Sequence, residues 1–124
     1  MIVDSSALIA YFRKKDVFHL ISVEMIESLD KLTIPDYILA ETLTVLKLKE
    51  SWETATKCAD FLTNSVNISI RPTPPLEFET TLKFFNKNRN SLSFVDTLLV
   101  ILCKKEKQAV MTFDNEIQSF LKAR

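Results

Sequence analysis

A chain of 124 residues is long enough to bury a core as one domain, here spanning 1–124, without disulfide support. Sixteen basic and sixteen acidic residues cancel to zero net charge, which argues against nucleic-acid binding driven by a broadly basic surface. The sequence holds no glycine, which excludes P-loops, dinucleotide fingerprints and serine-nucleophile elbows, and a single histidine, His19, which excludes zinc sites built on several imidazoles.

The chain opens with a short apolar strand, Ile2 and Val3, followed at once by Asp4, Ser5 and Ser6. From Ala7 the apolar residues Ala7, Leu8, Tyr11 and Phe12 recur on one helical face. A carboxylate therefore stands at the carboxyl end of a strand, the edge at which open α/β sheets bind ligands. Taken alone, Asp4 reads better as the cap of the helix it precedes, and it is the placement of the other acids that shifts the reading. Asp16 is expected to cap a second helix that turns Val17, Leu20, Ile21, Met25 and Leu29 inward. Residues 32–34 form a second strand, and Pro35 suits the first turn of a third helix running to about residue 50. On that helix Ile38, Val45 and Leu48 form one inward line, and Glu41 shares it. A carboxylate among core positions is costly unless something pairs with it.

A fourth helix places Ala55, Cys58, Ala59 and Leu62 at helical spacing, with Trp52 near its start as a packing residue or a subunit contact rather than a base-stacking platform. Cys58 and Cys103 both fall in apolar helical stretches and suggest a reduced, cytosolic protein. The opening strand leaves no room for a signal peptide, and no apolar run approaches the ~20 residues of a membrane span. Val66, Ile68 and Ile70 alternate with polar residues, as in an edge strand. Pro72, Pro74 and Pro75 end it, and a fifth helix is expected to bury Phe78, Leu82 and Phe85. A polar loop, residues 86–91, follows with Lys87 and Arg89. Two basic clusters, Arg13-Lys14-Lys15 and Lys104-Lys105 with Lys107, fall at helix ends and read as complements to the helix dipole.

The sixth helix, residues 94–103, is apolar on every face apart from Asp96 and Thr97, so it is expected to be largely buried. Asp96 lies in line with Leu99, Val100 and Cys103, and with Ser93 it also fits a capping box. Residues 109–111 form a fourth strand, and Thr112-Phe113-Asp114 repeats the opening pattern, an acid where a strand gives way to a helix over 115–121. Four acids thus fall at strand ends or on apolar helix lines: Asp4, Glu41, Asp96 and Asp114. Two unit charges about 4 Å apart repel by roughly 4 kcal/mol at an effective dielectric of 20. A cluster of four calls for a cation or for raised pKa values. With oxygen donors the cation would be Mg²⁺ or Mn²⁺, and chemistry with such an ion usually concerns phosphate oxygens.

The segments Asp4-Ser5-Ser6-Ala7-Leu8, the helical Glu41, Ser93-Phe94-Val95-Asp96 and Thr112-Phe113-Asp114 resemble the PIN domain, in particular toxin ribonucleases of the VapC type. The resemblance covers nearly the whole chain. It implies an α/β/α sandwich around a short parallel sheet in the order 3-2-1-4-5. It also implies Mg²⁺- or Mn²⁺-dependent endoribonuclease activity that leaves a 5′-phosphate, a homodimer, and inhibition by a cognate antitoxin. Carried over by position, Asp4, Glu41, Asp96 and Asp114 are the acidic metal ligands, and Ser6 and Thr112 are hydroxyl helpers that orient carboxylates or water. Two departures touch the sheet. The family usually runs on into a fifth strand, whereas this sequence stops at Arg124, so four strands are expected. The family often has glycine before the fourth strand, where this chain has Lys107-Gln108.

Two rivals fail on single residues. A phosphoryl-accepting receiver domain needs an aspartate at the end of the third strand, which here reads Ile70-Arg71-Pro72. A haloacid-dehalogenase-like phosphatase needs a second aspartate two after the first, and that position is Ser6. A PIN-like domain kept as a binding module without turnover is the alternative that the neutral charge leaves open.

Overall fold

The structure, a computed structural model, describes residues 1–122. In chain order its elements are β1 (Ile2–Val3), α1 (Ser5–Phe12), α2 (His19–Ser28), β2 (Leu32–Pro35), α3 (Asp36–Lys49), α4 (Trp52–Asn64), β3 (Ile68–Arg71), α5 (Pro75–Lys87), α6 (Phe94–Glu106), β4 (Val110–Met111) and α7 (Asn115–Lys122). The four strands pair in parallel in the order β3-β2-β1-β4. Ile2 is paired with Thr33 on one side and Val110 on the other, and Val3 with Met111. Both residues of β1 are fully buried, as expected of a central parallel strand covered on both faces by helices. Chain order moves outward from β1 to β2 and β3, then returns to the other side of β1 as β4. The reversal places the topological switch point, where such sheets open a crevice, between the carboxyl ends of β1 and β4.

The core gathers Ile2, Val3, Leu8, Ile34, Ile38, Leu46, Leu99, Leu102, Met111 and Ile117, with Cys58 and Cys103 buried among them as free thiols. α6 is buried over most of its surface and α4 turns Ala55, Cys58 and Leu62 inward, both as the spacing predicts. Among the described residues no helix is long and apolar enough to cross a membrane.

Three helices turn a different face inward from the one their apolar residues mark. On α2 and the turn before it, Val17, Leu20, Ile21 and Met25 are exposed, Val17 to 86%. Ser22 and Ile26 face the core instead, and only Leu29 packs against it as expected. The Ser22 hydroxyl is satisfied by donating to the Ala7 carbonyl at 2.6 Å, so its burial carries no orphan polar group. Asp16 accepts from the Phe18 N–H at 2.8 Å and shapes the turn, while the helix itself begins only at His19. On α3 the buried line is Ile38, Thr42 and Leu46, and Leu48 is 80% exposed. The Thr42 hydroxyl bonds back to the Ile38 carbonyl. On α5 Phe78, Leu82 and Phe85 are exposed, and the inward residues are Glu77 and Thr81. Glu77 is held there by Arg71, whose guanidinium donates to both its oxygens at 2.9 and 3.0 Å.

Smaller shifts concern element ends. Pro35 closes β2 and precedes α3 rather than lying in it, Val66 lies outside β3, and Ala109 lies outside β4 although its carbonyl accepts from the Ile2 N–H. Lys107 ends α6 in the left-handed region, φ 52° and ψ 40°, and it alone among the described residues combines a positive φ with a side chain.

Candidate active site

β1 delivers Asp4 to the switch point. The ladder carries one residue past the strand, the Asp4 N–H donating to the Met111 carbonyl at 3.0 Å, so the carboxylate is fixed between β1 and β4. Its side chain makes no capping bond to α1, which removes the helix-cap reading. It is instead buried and faces hydroxyls. Thr112 Oγ1 lies 2.7 Å and Ser6 Oγ 3.0 Å from Asp4 Oδ2. Each hydroxyl receives a backbone N–H, Ser6 from Phe113 and Thr112 from Asp114, both at 3.0 Å. Because each oxygen already accepts, its own proton is directed to Asp4. The two hydroxyls clamp that oxygen and leave Asp4 Oδ1 with only a 3.5 Å contact to Ser5.

Ser5 joins the next acid. Its Oγ donates to Glu41 Oε1 at 2.5 Å, across from α1 to α3. Asp96 closes the capping box of α6, accepting from the Ser93 N–H at 3.2 Å through Oδ2 while Ser93 Oγ accepts from the Asp96 N–H. Asp114 caps α7, its Oδ1 accepting from the Glu116 and Ile117 N–H groups at 2.9 and 3.3 Å. The capping and site readings of Asp96 and Asp114 therefore hold together. Each acid spends one oxygen on being positioned. Glu41 Oε2, Asp96 Oδ1 and Asp114 Oδ2 accept no hydrogen bond among the described residues.

The acids feel one another. Burial pushes the Glu41 carboxyl above its ordinary value; the Ser5 hydrogen bond opposes this, and the charges of Asp4 and Asp96 add to it. Burial likewise raises Asp96, against the Ser93 hydrogen bonds and with the charges of Asp4 and Asp114. The Cys103 thiol is pushed up to about 11 by burial and by Asp4. As the side chains lie, no three acids, histidines or cysteines among the described residues stand in a metal-coordinating array.

Of the six residues singled out in the sequence, Asp4, Ser6, Thr112 and Asp114 lie in one hydrogen-bonded network. Glu41 joins it through Ser5, and Asp96 is linked by charge alone. Ser5 is the member that sequence reasoning missed. The available signal was its place directly after Asp4, at the first position of α1.

A family model described as the PIN domain matches residues 1–122. The chain belongs to the PIN domain family. The fold agrees with several solved structures. VapC20 of Mycobacterium tuberculosis, described as a sarcin-ricin loop cleaving toxin, superposes with a TM-score of 0.86 at 19% identity, over 95% of this chain and 92% of that one. PAE2754 of Pyrobaculum aerophilum gives 0.68 at 19% identity over 98% and 84%. VapBC2 of Rickettsia felis, solved bound to a DNA fragment from its promoter, gives 0.68 at 11% identity over 96% and 91%. No curated protein sequence matches the chain significantly. The sheet β3-β2-β1-β4 is the first four strands of the order the resemblance implied.

Proposed function

We propose that this PIN domain is a divalent-metal-dependent endoribonuclease and the toxin of a type II toxin–antitoxin pair. The observation that carries the reading is the division of labour within each carboxylate: one oxygen is anchored by protein donors and its fellow is left open. Anchored donors with open lone pairs suit a hard cation, and oxygen donors on four separate elements fit Mg²⁺ or Mn²⁺. Asp4 and Asp96 would hold the ion most directly, with Glu41 and Asp114 acting partly through water, in keeping with carboxylates that do not converge as a ready cage. When bound, such an ion polarises a phosphoryl oxygen and lowers the pKa of a water that attacks phosphorus.

The protein's own residues prepare that chemistry. Ser6 and Thr112 give their protons to one oxygen of Asp4, so the carboxylate is held in one orientation. Ser5 does the same for Glu41, offsetting the burial that favours its neutral form. The mycobacterial neighbour is described as cleaving the sarcin-ricin loop; structured RNA is the substrate class we propose here, with cleavage leaving a 5′-phosphate. A homodimer in the cytoplasm, silenced by an antitoxin whose disordered tail folds over the acidic crevice, completes the reading.

The test compares wild type with Asp4→Asn on total RNA with Mn²⁺, using EDTA as control. The substitution should lower cleavage by orders of magnitude while leaving the fold intact, with Glu41→Gln and Asp96→Asn behaving alike and double substitutions adding little. Equal cleavage by wild type and Asp4→Asn would sink the assignment; binding of RNA without any turnover would favour a silent module.

A further inference from the structure

The turn between α1 and α2, residues 13–18, carries features that the acidic cluster does not use. Of its three consecutive cations only Arg13 is paired, its Nε lying 3.6 Å from Glu50. Lys14 and Lys15 are exposed and have no acidic partner among the described residues. The turn is nonetheless held by its own hydrogen bonds. The Asp16 N–H donates to Arg13, the His19 N–H to Asp16, the Phe18 N–H to the Asp16 carboxylate, and the His19 ring nitrogen Nδ1 lies 2.8 Å from the Ala10 carbonyl.

This hydrogen-bonded turn holds Phe18 flat against Phe113, ring centroids 4.4 Å apart and planes within 8°. Phe113 is itself fixed beside the acids, between Thr112 and Asp114, with its N–H on Ser6. Phe18 is stacked on Phe113 yet stays 39% exposed, so part of the residue remains accessible to solvent. A preorganised aromatic face beside two unpaired cations is the combination that binds single-stranded nucleic acid, base on ring and phosphate on ammonium. It also answers an electrostatic need, since an acidic crevice in a chain of zero net charge must draw a polyanion through local cations.

We propose that the α1–α2 turn is the RNA platform of the active site: Phe18, backed by Phe113, stacks an unpaired base next to the scissile bond, and Lys14 and Lys15 hold the adjoining phosphates. The proposal rests on the nuclease reading for its ligand class, and it makes Phe18 a determinant of where RNA is held and not of the chemistry itself.

The test is binding of a short fluorescein-labelled single-stranded oligoribonucleotide to the full-length Asp4→Asn protein, read by anisotropy in Mg²⁺ over a range of salt. Phe18→Leu keeps an apolar side chain but loses the flat ring and should weaken binding about tenfold or more; Phe18→Trp should retain it. Lys14→Ala with Lys15→Ala should flatten the slope of log affinity against log salt by about 1.4. In the cleaving protein, Phe18→Leu should raise KM with little change in kcat. Equal binding by the Leu and Trp variants, or an unchanged salt slope, overturns the proposal. So does a Phe18→Leu protein that keeps its RNA affinity but loses a protein co-purified from the host, since the turn is then a protein dock. Failure of the nuclease reading shows separately, as equal cleavage by wild type and Asp4→Asn, because the anisotropy does not depend on turnover.

Discussion

Ser5 shows how much of a site can rest on one hydroxyl. It lies within reach of Asp4 and Glu41 and can give its proton to only one of them; at 2.5 Å against 3.5 Å it serves Glu41. That bond favours the ionised carboxylate, while burial and the neighbouring charges favour the neutral one. Removing it with Ser5→Ala should raise the Glu41 pKa further, so a larger fraction is protonated at any given pH. If the ionised form is the active one, the acid limb of the pH–rate profile moves to higher pH and the alkaline plateau changes little. An acid limb that stays in place in Ser5→Ala would show that Glu41 does not gate cleavage. The acids themselves were legible in the sequence because each breaks a rule, a charge ending an apolar strand or interrupting a buried helix. Ser5 broke none, since a serine near a helix start needs no explanation, and its partner lies thirty-six residues away.

At the scale of elements, strands and helix positions were readable from periodicity, but three helix faces were not. The buried positions of α2, α3 and α5 include Ser22, Thr42, Thr81 and Glu77, residues that pattern reading assigns to solvent. Three of them satisfy their hydroxyls on backbone carbonyls, Ser22 on Ala7, Thr42 on Ile38 and Thr81 on Glu77, at no cost visible in the sequence. Glu77 depends on a tertiary contact: its side chain is 2% exposed and paired with Arg71 of β3, with Lys105 of α6 at 3.7 Å. α5 is therefore oriented by an ion pair, and its phenylalanines are left outside, where Phe78 and Phe85 pack edge-on against Phe94. Arg71→Met should leave the buried Glu77 carboxylate with only the longer Lys105 contact and cost up to about 3–5 kcal/mol. Adding Glu77→Leu should recover most of that loss, and urea unfolding of the single and double variants measures both. A single variant as stable as wild type would mean that hydrophobic contacts, and not the pair, set the face of α5.

For the whole molecule, the acidic crevice sets stability against charge. Glu41 and Asp96 both stand above their ordinary carboxyl values, so stability they contribute when protonated is present below the unfolded values and lost as pH rises through the folded ones. At neutral pH the metal-free protein carries that repulsion, and Mn²⁺ should relieve it. A ligand at a hundred times its Kd adds about 2.7 kcal/mol, which in a chain of this size raises Tm by several degrees. Asp96→Asn should raise the metal-free Tm and shrink the Mn²⁺ shift, since its amide oxygen can still accept from Ser93. Scanning calorimetry with and without Mn²⁺ decides, and a Tm indifferent to millimolar metal would count against the site.

The absence of glycine reaches beyond the native structure. With a side chain on every residue, the denatured ensemble visits fewer backbone conformations, and less entropy is lost as the chain orders. That stiffness helps wherever the native backbone is ordinary. It opposes the fold at the connection from α6 to β4, where Lys107 takes up, at roughly 1 kcal/mol, a conformation glycine would adopt freely. The connection that leads to Thr112 and Asp114 thus carries a local backbone cost that the denatured chain does not bear.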